Sequence, residues 1–434
     1  MKKPELLSPA GTLKSMHYAY AYGADAVYAG QPRYSLRVRN NDFTLDHLEK
    51  GIHFAHQQGK KFYVASNIAP HNAKLKTYLA DMEPVIAMRP DALIMSDPGL
   101  IMMVRERWPE QCIHLSVQAN TMNWASVKFW QQQGIQRIIL SRELSLQEVE
   151  EIRQYIPEME LEVFVHGALC IAYSGRCLLS GYMNHRDPNQ GTCTNACRWK
   201  YQVTAATEDD KGDFIPVQEW QPETVSPRPM LLEEVNRPGE FMPVDEDEHG
   251  TYIMNSKDLR AVQHVPAFAA MGIHSLKIEG RTKSHYYVAR TAQVYRQAID
   301  DAAAGKPFDR GLMDTLENLA NRGYTEGFYR RHVHDEYQNY LTGNSIGVHQ
   351  QFVGEVVDAD KHAGWIDIEV KNRFAVGDHL ELMTPTGNIR WQLDTLLDKH
   401  QRAIEVAPGS GHRVRLPVAV EHDLNYALLM RNLD

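Results

Sequence analysis

Eight short runs of β-forming residues, each closing on glycine or polar groups, recur through the first 280 residues: ELLSPAG, AVYAG, KFYVASNI, DALIMSD, IHLSVQAN, RIILSREL, LEVFVHGAL and, after a long gap, HSLKIEG. Between the early runs the apolar residues switch to helical spacing. From Thr44 to Gln58, Leu45, Leu48, Ile52 and Ala55 share one face, and Gly59 offers a stop. Another helix is predicted from Ser145, where SLQE sets Glu148 three residues after a capping serine. Strands alternating with helices pair in parallel, because each crossover returns the chain to the same end of the sheet. Eight such units either close into a (β/α)8 barrel or stay open as a doubly wound sheet. The barrel is the expected fold class. Function then sits at the carboxyl ends of the strands, where the sequence places Ser8, Asn67, Asp97, Gln118, Arg142, Glu143, His166, Lys277 and Glu279.

The rhythm breaks twice. Between Tyr201 and Gly250 the chain turns acidic and proline-rich, which reads as an insertion at 201–250. After KIEGR, helices are predicted from Ser284 to Ala304, with Gly305 as stop, and from Arg310 to Ala320. From about Ser345 the pattern changes to FVGEVVDAD, GWIDIEV, FAVGDHLELMTP and RVRLPVAV, separated by turn residues, as in a small all-β domain. The expected organisation is a barrel over 1–330, a linker over 331–344 and a β unit over 345–434.

Composition narrows the function classes. No run of about 18 apolar residues is present, so no ordinary membrane span is expected, and Pro4, Ser8 and Pro9 interrupt any signal-like stretch. The expected location is the cytoplasm. The insertion holds 13 acids against 3 bases, a net of −10 within a chain total of −9, so the remainder carries +1 and neither favours nor excludes RNA.

Four of the five cysteines, Cys170, Cys177, Cys193 and Cys197, stand together after the seventh run, and Cys112 lies far upstream. In a reducing compartment such a cluster binds metal or does redox chemistry more often than it forms disulfides. The spacing C-x6-C-x15-C-x3-C lacks the two tight pairs of a structural zinc site. With Gly167, Gly175, Gly181 and Gly191 it suits a loop around a cuboidal iron-sulfur cluster of the 4Fe-4S type. Zinc, and thiols that are simply buried, remain open on spacing alone. A thiol peptidase in which His166 activates Cys170 is a second reading, and a non-enzymatic iron-sulfur scaffold a third.

The stretch EVFVHGALCIAYSGRCLLS, with ELLSPAG, GADAVYAG, SREL, NSKDL and KIEGR, closely resembles the signature blocks of the collagenase-like family of unclassified peptidases. That resemblance spans nearly the whole chain, and its members include oxygen-independent iron-sulfur hydroxylases. It implies a tRNA-modifying enzyme that forms 5-hydroxyuridine at the wobble position, with prephenate as hydroxyl source. It also implies Cys170, Cys177, Cys193 and Cys197 as cluster ligands, and hence dependence on the iron-sulfur assembly machinery. The anticodon loop would be the partner, its base already unstacked and cheap to extrude, with Tyr28, Tyr34, Tyr63 and Tyr173 as stacking candidates. Prephenate carries two carboxylates, which call for guanidinium forks. Arg37, Arg39, Arg142, Arg176 and Arg281 lie at or just past strand ends and are the candidate ligands, with His166, Lys277 and Glu279 as candidate catalytic groups. In the β unit, Arg373, Arg390, Arg413 and Arg415 are the candidate RNA contacts.

Overall fold

A computed structural model describes residues 3–36, 42–170, 172–173, 176–177, 179–180, 187–191, 193, 206–208, 214–216, 230–233, 241–247, 250–252, 257–321, 323–330, 350–360, 364–418 and 423–433. The eight expected runs are the strands of one closed parallel barrel: β1 (Glu5–Pro9), β2 (Ala26–Gly30), β3 (Lys61–Ser66), β4 (Ala92–Met95), β5 (Ile113–Leu115), β6 (Arg137–Ile139), β7 (Glu160–Ala168) and β8 (Ser275–Ile278). Neighbours pair in chain order, and β8 pairs with both β7 and β1, which closes the ring. The strands are buried on both faces, as parallel strands covered by helices are.

Around the ring lie α1 (Leu13–Ala21), α2 (Leu45–Gln57), α3 (Asn72–Ala87), α4 (Pro98–Arg107), α5 (Trp124–Gln132), α6 (Leu146–Tyr155), α7 (Val265–Met271) and α8 (His285–Ala303). The expected capping box of Ser145 with Glu148 is present, and the Thr44 hydroxyl caps its helix by accepting from the His47 amide at 3.2 Å. The helix expected from Ser284 has that serine as its cap, and the helix expected from Arg310 spans Gly311–Glu317.

Two short strands escaped the sequence reading. Asp258–Arg260 runs antiparallel to the end of β7, and Tyr324–Thr325 pairs beside it, so the long carboxyl end of β7 carries sheet outside the ring. In the acidic insertion, Ala206–Glu208 pairs with Phe214–Pro216, and Phe241–Asp247 pairs with both Met230–Glu233 and Gly250–Tyr252, all antiparallel. The expected linker 331–344 lies outside the described residues.

The second unit is all-β. In its seven-stranded antiparallel sheet the long strand Gln350–Asp360 lies between Leu428–Asn432 and Trp365–Val370, over a core that includes Phe374, Leu382 and Leu416. It docks on α1 and α8 through polar contacts that apolar packing surrounds. The Tyr22 hydroxyl donates to the carbonyls of Met383 and Tyr426 at 2.9 and 3.0 Å, and Glu355 receives Lys14 at 2.5 Å and His285 at 3.1 Å. Arg290 on α8 meets Glu381 at 2.6 Å with both side chains about 1% exposed. Burial pushes the Glu381 carboxyl up, but Arg290 and Arg390 together outweigh it and hold it below its ordinary value.

Removing one partner of a buried ion pair strands the other, at a cost of about 3–5 kcal/mol. Arg290→Met is therefore expected to loosen the β unit from the barrel, so that scanning calorimetry resolves an added transition below the wild-type one. A single transition at the wild-type temperature would contradict this docking.

Candidate active site at the barrel mouth

The barrel interior is filled by charge rather than by aliphatic layers alone. Arg137, 4% exposed, reaches Glu5 at 2.5 Å, Glu160 at 2.8 Å and Glu162 at 3.3 Å. Glu162, fully buried, gives its other oxygen to Lys277 Nζ at 3.0 Å. At the amino-terminal end Glu5 also accepts from Tyr63 at 2.8 Å and meets Lys61 at 3.2 Å. Opposite charges thus alternate along the axis, from Lys61 in solvent to Lys277 at the cavity floor. Burial raises the Glu5 carboxyl, yet Arg137, Lys61 and Tyr63 together leave it below its ordinary value. For Lys277 burial wins, and its ammonium is brought down despite Glu162 and Glu279.

Above this chain opens a cavity of about 190 Å³ at the carboxyl ends of the strands. Lys277 forms its floor with Nζ 4.3 Å from the centre of the Tyr28 ring, and Arg142 lies 3.7 Å over the Phe164 ring, so each cation keeps an aromatic face beside it. Arg142 also meets Glu279 at 3.2 Å. Arg281 donates to the Leu36 carbonyl at 2.6 Å and is 9% exposed. A Cβ on Gly30 would fall 2.3 Å from Ser35 Oγ and 2.9 Å from Arg281 Nη1, so both side chains would have to shift to admit one. Among the described residues four cations, Arg142, Lys277, Arg281 and Lys283, line the cavity against one acid, Glu279. Such a chamber favours an anion.

Cys170, Cys177 and Cys193 line this same cavity. Cys197 lies outside the described residues, as do Arg37 and Arg39. Among the described residues no group of three or more His, Cys, Asp or Glu is close enough to hold a metal ion. The donor chemistry fits an iron-sulfur cluster, whose ligands are thiolates. Cys112 precedes β5 at the opposite, amino-terminal end, where burial pushes its thiol up.

The other expected site residues separate. Lys277, Glu279, Arg142 and Arg281 meet at the mouth. Arg176 is exposed and bonds Asn120 at 3.0 Å. His166 does not line the mouth. The ladder between β7 and β8 pairs Lys277 with Phe164 but Ile278 with His166, a bulge that absorbs Val165 and turns the imidazole outward. The ring packs among Tyr287, Tyr295 and Tyr324, with Nδ1 3.3 Å from the Tyr295 hydroxyl. Burial, with Arg260 and Lys283 nearby, pushes it down to about 3, so it is neutral at physiological pH. Just past the bulge, Gly167 has φ +105°, and a Cβ there would meet the Glu279 carbonyl at 2.5 Å, so this close strand contact requires glycine.

Of the stacking candidates, Tyr28 and Tyr173 line the mouth, whereas Tyr63 serves Glu5 below and Tyr34 bonds Asp81 at 2.6 Å. In the β unit Arg413 and Arg415 are held by Asp367, and Arg390 by Glu381. The sequence reading missed Arg137 and Glu162. Their signal was there: charged residues of opposite sign inside the apolar runs RII, LEVF and LKI, at positions that face the axis.

A closed parallel barrel with thiols and cations gathered at its carboxyl-end mouth defines the class of site. The chain matches Peptidase family U32 over residues 11–339 and the Peptidase family U32 C-terminal domain over residues 349–431, and it belongs to that family. It is 65% identical over 442 residues to tRNA hydroxylation protein P of Escherichia coli, covering 100% of this chain and 97% of the relative. It is 63% identical to tRNA hydroxylation protein P of Haemophilus influenzae, covering 99% and 96%. More distant, at 28% identity and covering 99% of this chain and 59% of the relative, is the 23S rRNA 5-hydroxycytidine C2501 synthase of Escherichia coli. No helix among the described residues is long and apolar enough to cross a membrane.

The axial chain yields a pH signature. With its folded value depressed below 4.5, Glu5 contributes stability that is present above that pH and is lost as pH falls through the folded value. Glu5→Gln is expected to be less stable than wild type at pH 7 and to show a flatter loss of stability below pH 4.5 in urea titrations. Parallel acid slopes in the two proteins would contradict the assignment.

Proposed function

We propose that this protein is a tRNA hydroxylase that installs a hydroxyl on carbon 5 of the wobble uridine, with prephenate as the hydroxyl source. The cluster would be held by Cys170, Cys177, Cys193 and Cys197. The observation that carries the reading is the convergence of three of these thiols with Lys277, Arg142 and Arg281 on one cavity, in a chain 65% identical to a tRNA hydroxylation protein. A related rRNA enzyme named for 5-hydroxycytidine supports a pyrimidine as the target.

Replacing C5–H by C5–OH removes two electrons from the base, and because no side chain accepts them the hydroxyl donor must take them up, as U–H + R–OH gives U–OH + R–H, with R–OH prephenate. A bound iron-sulfur cluster supplies redox and Lewis-acid capacity. The chain's own residues have separate tasks. Arg142 and Arg281 offer guanidinium groups to the carboxylates of prephenate, and Lys277 at the floor offers a third cation. The lowered ammonium of Lys277 is also the group able to supply the proton that the donor carbon takes up where its hydroxyl leaves for the base, with Glu162 beneath it holding Nζ in place. Tyr173, 49% exposed at the rim, gives an extruded base a ring to stack on.

The peptidase reading requires His166 and Cys170 to act on one substrate. Cys170 is on the mouth, while the imidazole is buried among tyrosines on the far side of β7, which speaks against the dyad.

In cells lacking this protein and any oxygen-dependent counterpart, 5-hydroxyuridine-derived nucleosides are expected to disappear from tRNA. Wild type should restore them, and Cys170→Ala or Cys193→Ala should fail to. Blocking prephenate synthesis should mimic the loss. Full restoration by both cysteine variants, read by nucleoside mass spectrometry, would refute the proposal.

A further inference from the structure

The mouth has a second compartment. An annex of about 100 Å³ adjoins the cationic chamber at the ends of β3, β4 and β5, and the two share Asn67, Gln118 and Asn189 as a common wall. Among the described residues the annex adds Ala69, Ser96, Asp97 and Pro98 but no cation. At roughly 10–15 Å³ of this kind of volume per water, it takes about seven to ten water-sized spheres, enough for a single substituted six-membered ring.

Hydrogen bonds already occupy most of this wall. Asn67 accepts from the Leu36 amide at 3.2 Å and donates to Ser116 Oγ at 3.2 Å. Ser96 Oγ donates to the Asn67 carbonyl at 3.2 Å, Asn189 donates to the Cys177 carbonyl at 3.1 Å, and Asp97 caps α4 by accepting from the Leu100 amide at 2.9 Å. Gln118 differs. Its Oε1 is shielded from solvent and has no hydrogen-bond partner among the described residues. Leaving a buried acceptor unpaired costs about 1–3 kcal/mol, so this oxygen is set up to receive a donor that arrives with a ligand.

We propose that the mouth is divided by charge: the amide-lined annex takes the neutral pyrimidine base, whose imide N–H donates to Gln118 Oε1, and the cationic chamber takes the dicarboxylate co-substrate. This rests on the hydroxylase reading above. Asp97, with no cation beside it among the described residues of the annex wall, repels a dianion but not a neutral ring, and Arg142, Lys277, Arg281 and Lys283 next door have the opposite preference. Gln118 stands at the junction, where the base and the co-substrate come into contact.

The test uses the full-length, cluster-loaded protein and an anticodon stem-loop carrying the target uridine. Two quantities are read separately: the Kd for the stem-loop by fluorescence anisotropy, and the prephenate concentration that half-saturates hydroxylation. Gln118→Leu is expected to weaken the stem-loop Kd and raise its KM about tenfold while leaving the prephenate requirement unchanged. Gln118→Glu, which keeps an acceptor, should recover most of the loss. Lys277→Met should show the converse pattern, with a higher prephenate requirement and an unchanged stem-loop Kd. Thermal unfolding at the wild-type temperature certifies each variant as folded. The proposal is overturned if Gln118→Leu shifts the prephenate requirement, or leaves both quantities at wild-type values. If wild type binds the stem-loop but hydroxylates nothing, the hydroxylase reading fails and the Kd comparison alone decides the annex. If wild type does not bind the stem-loop at all, both fall.

Discussion

The contact on which the rest of this structure depends is the carboxylate of Glu162, shared at 3.3 and 3.0 Å between Arg137 below and Lys277 above. A parallel barrel is ordinarily filled by branched aliphatic layers. Here the axis carries alternating charge, and each member is tolerable only because its neighbour is present. Without Glu162, Arg137 would keep Glu5 and Glu160, but Lys277 would be a cation seated on two aromatic rings with no anion beneath it. The interior thus fixes a positive group at the floor of the mouth, and the arginines around it complete an anion-receiving chamber.

The mouth inherits its shape from two local irregularities. The bulge at Val165 and His166 turns the histidine out of the barrel and lets Asp258–Arg260 pair with the end of β7. Gly167, immediately beyond it, allows the Glu279 carbonyl to come close, which sets Glu279 within reach of Arg142. The cysteine loop leaves β7 from this point, so its thiols and the cation-bearing end of β8 border one cavity although they are far apart in sequence. Cations and cysteine thiols bordering one cavity are the physical basis of the proposed hydroxylase.

Much of this was legible before any coordinates. All eight strands, the helices read from Thr44 and Ser284, the capping box of Ser145 with Glu148, and the change to an all-β unit follow from periodicity and capping chemistry, which are local. The meeting of Lys277, Glu279, Arg142 and the cysteines follows from ring closure, because β7 and β8 become neighbours. What was not legible depends on register. His166 reads as a mouth residue if strand alternation continues unbroken, and one bulged residue reverses that. The arginines of the β unit read as free for RNA, yet Asp367 and Glu381 take three of them across strand pairings that no single segment reveals. The short strands at Asp258–Arg260 and Tyr324–Thr325 carry too few residues for a periodic signal and exist because β7 offers an edge.

The central claim is that Lys277, held by Glu162, marks the floor of a chamber where a dicarboxylate meets the cysteine loop. A crystal structure of the anaerobically purified protein with prephenate bound tests it most directly. The account predicts a carboxylate within hydrogen-bond distance of Lys277 Nζ while the bond to Glu162 persists, with a guanidinium of Arg142 or Arg281 on the other carboxylate. Prephenate bound away from the carboxyl ends of the strands, or at the mouth with Lys277 turned from it, would contradict the account.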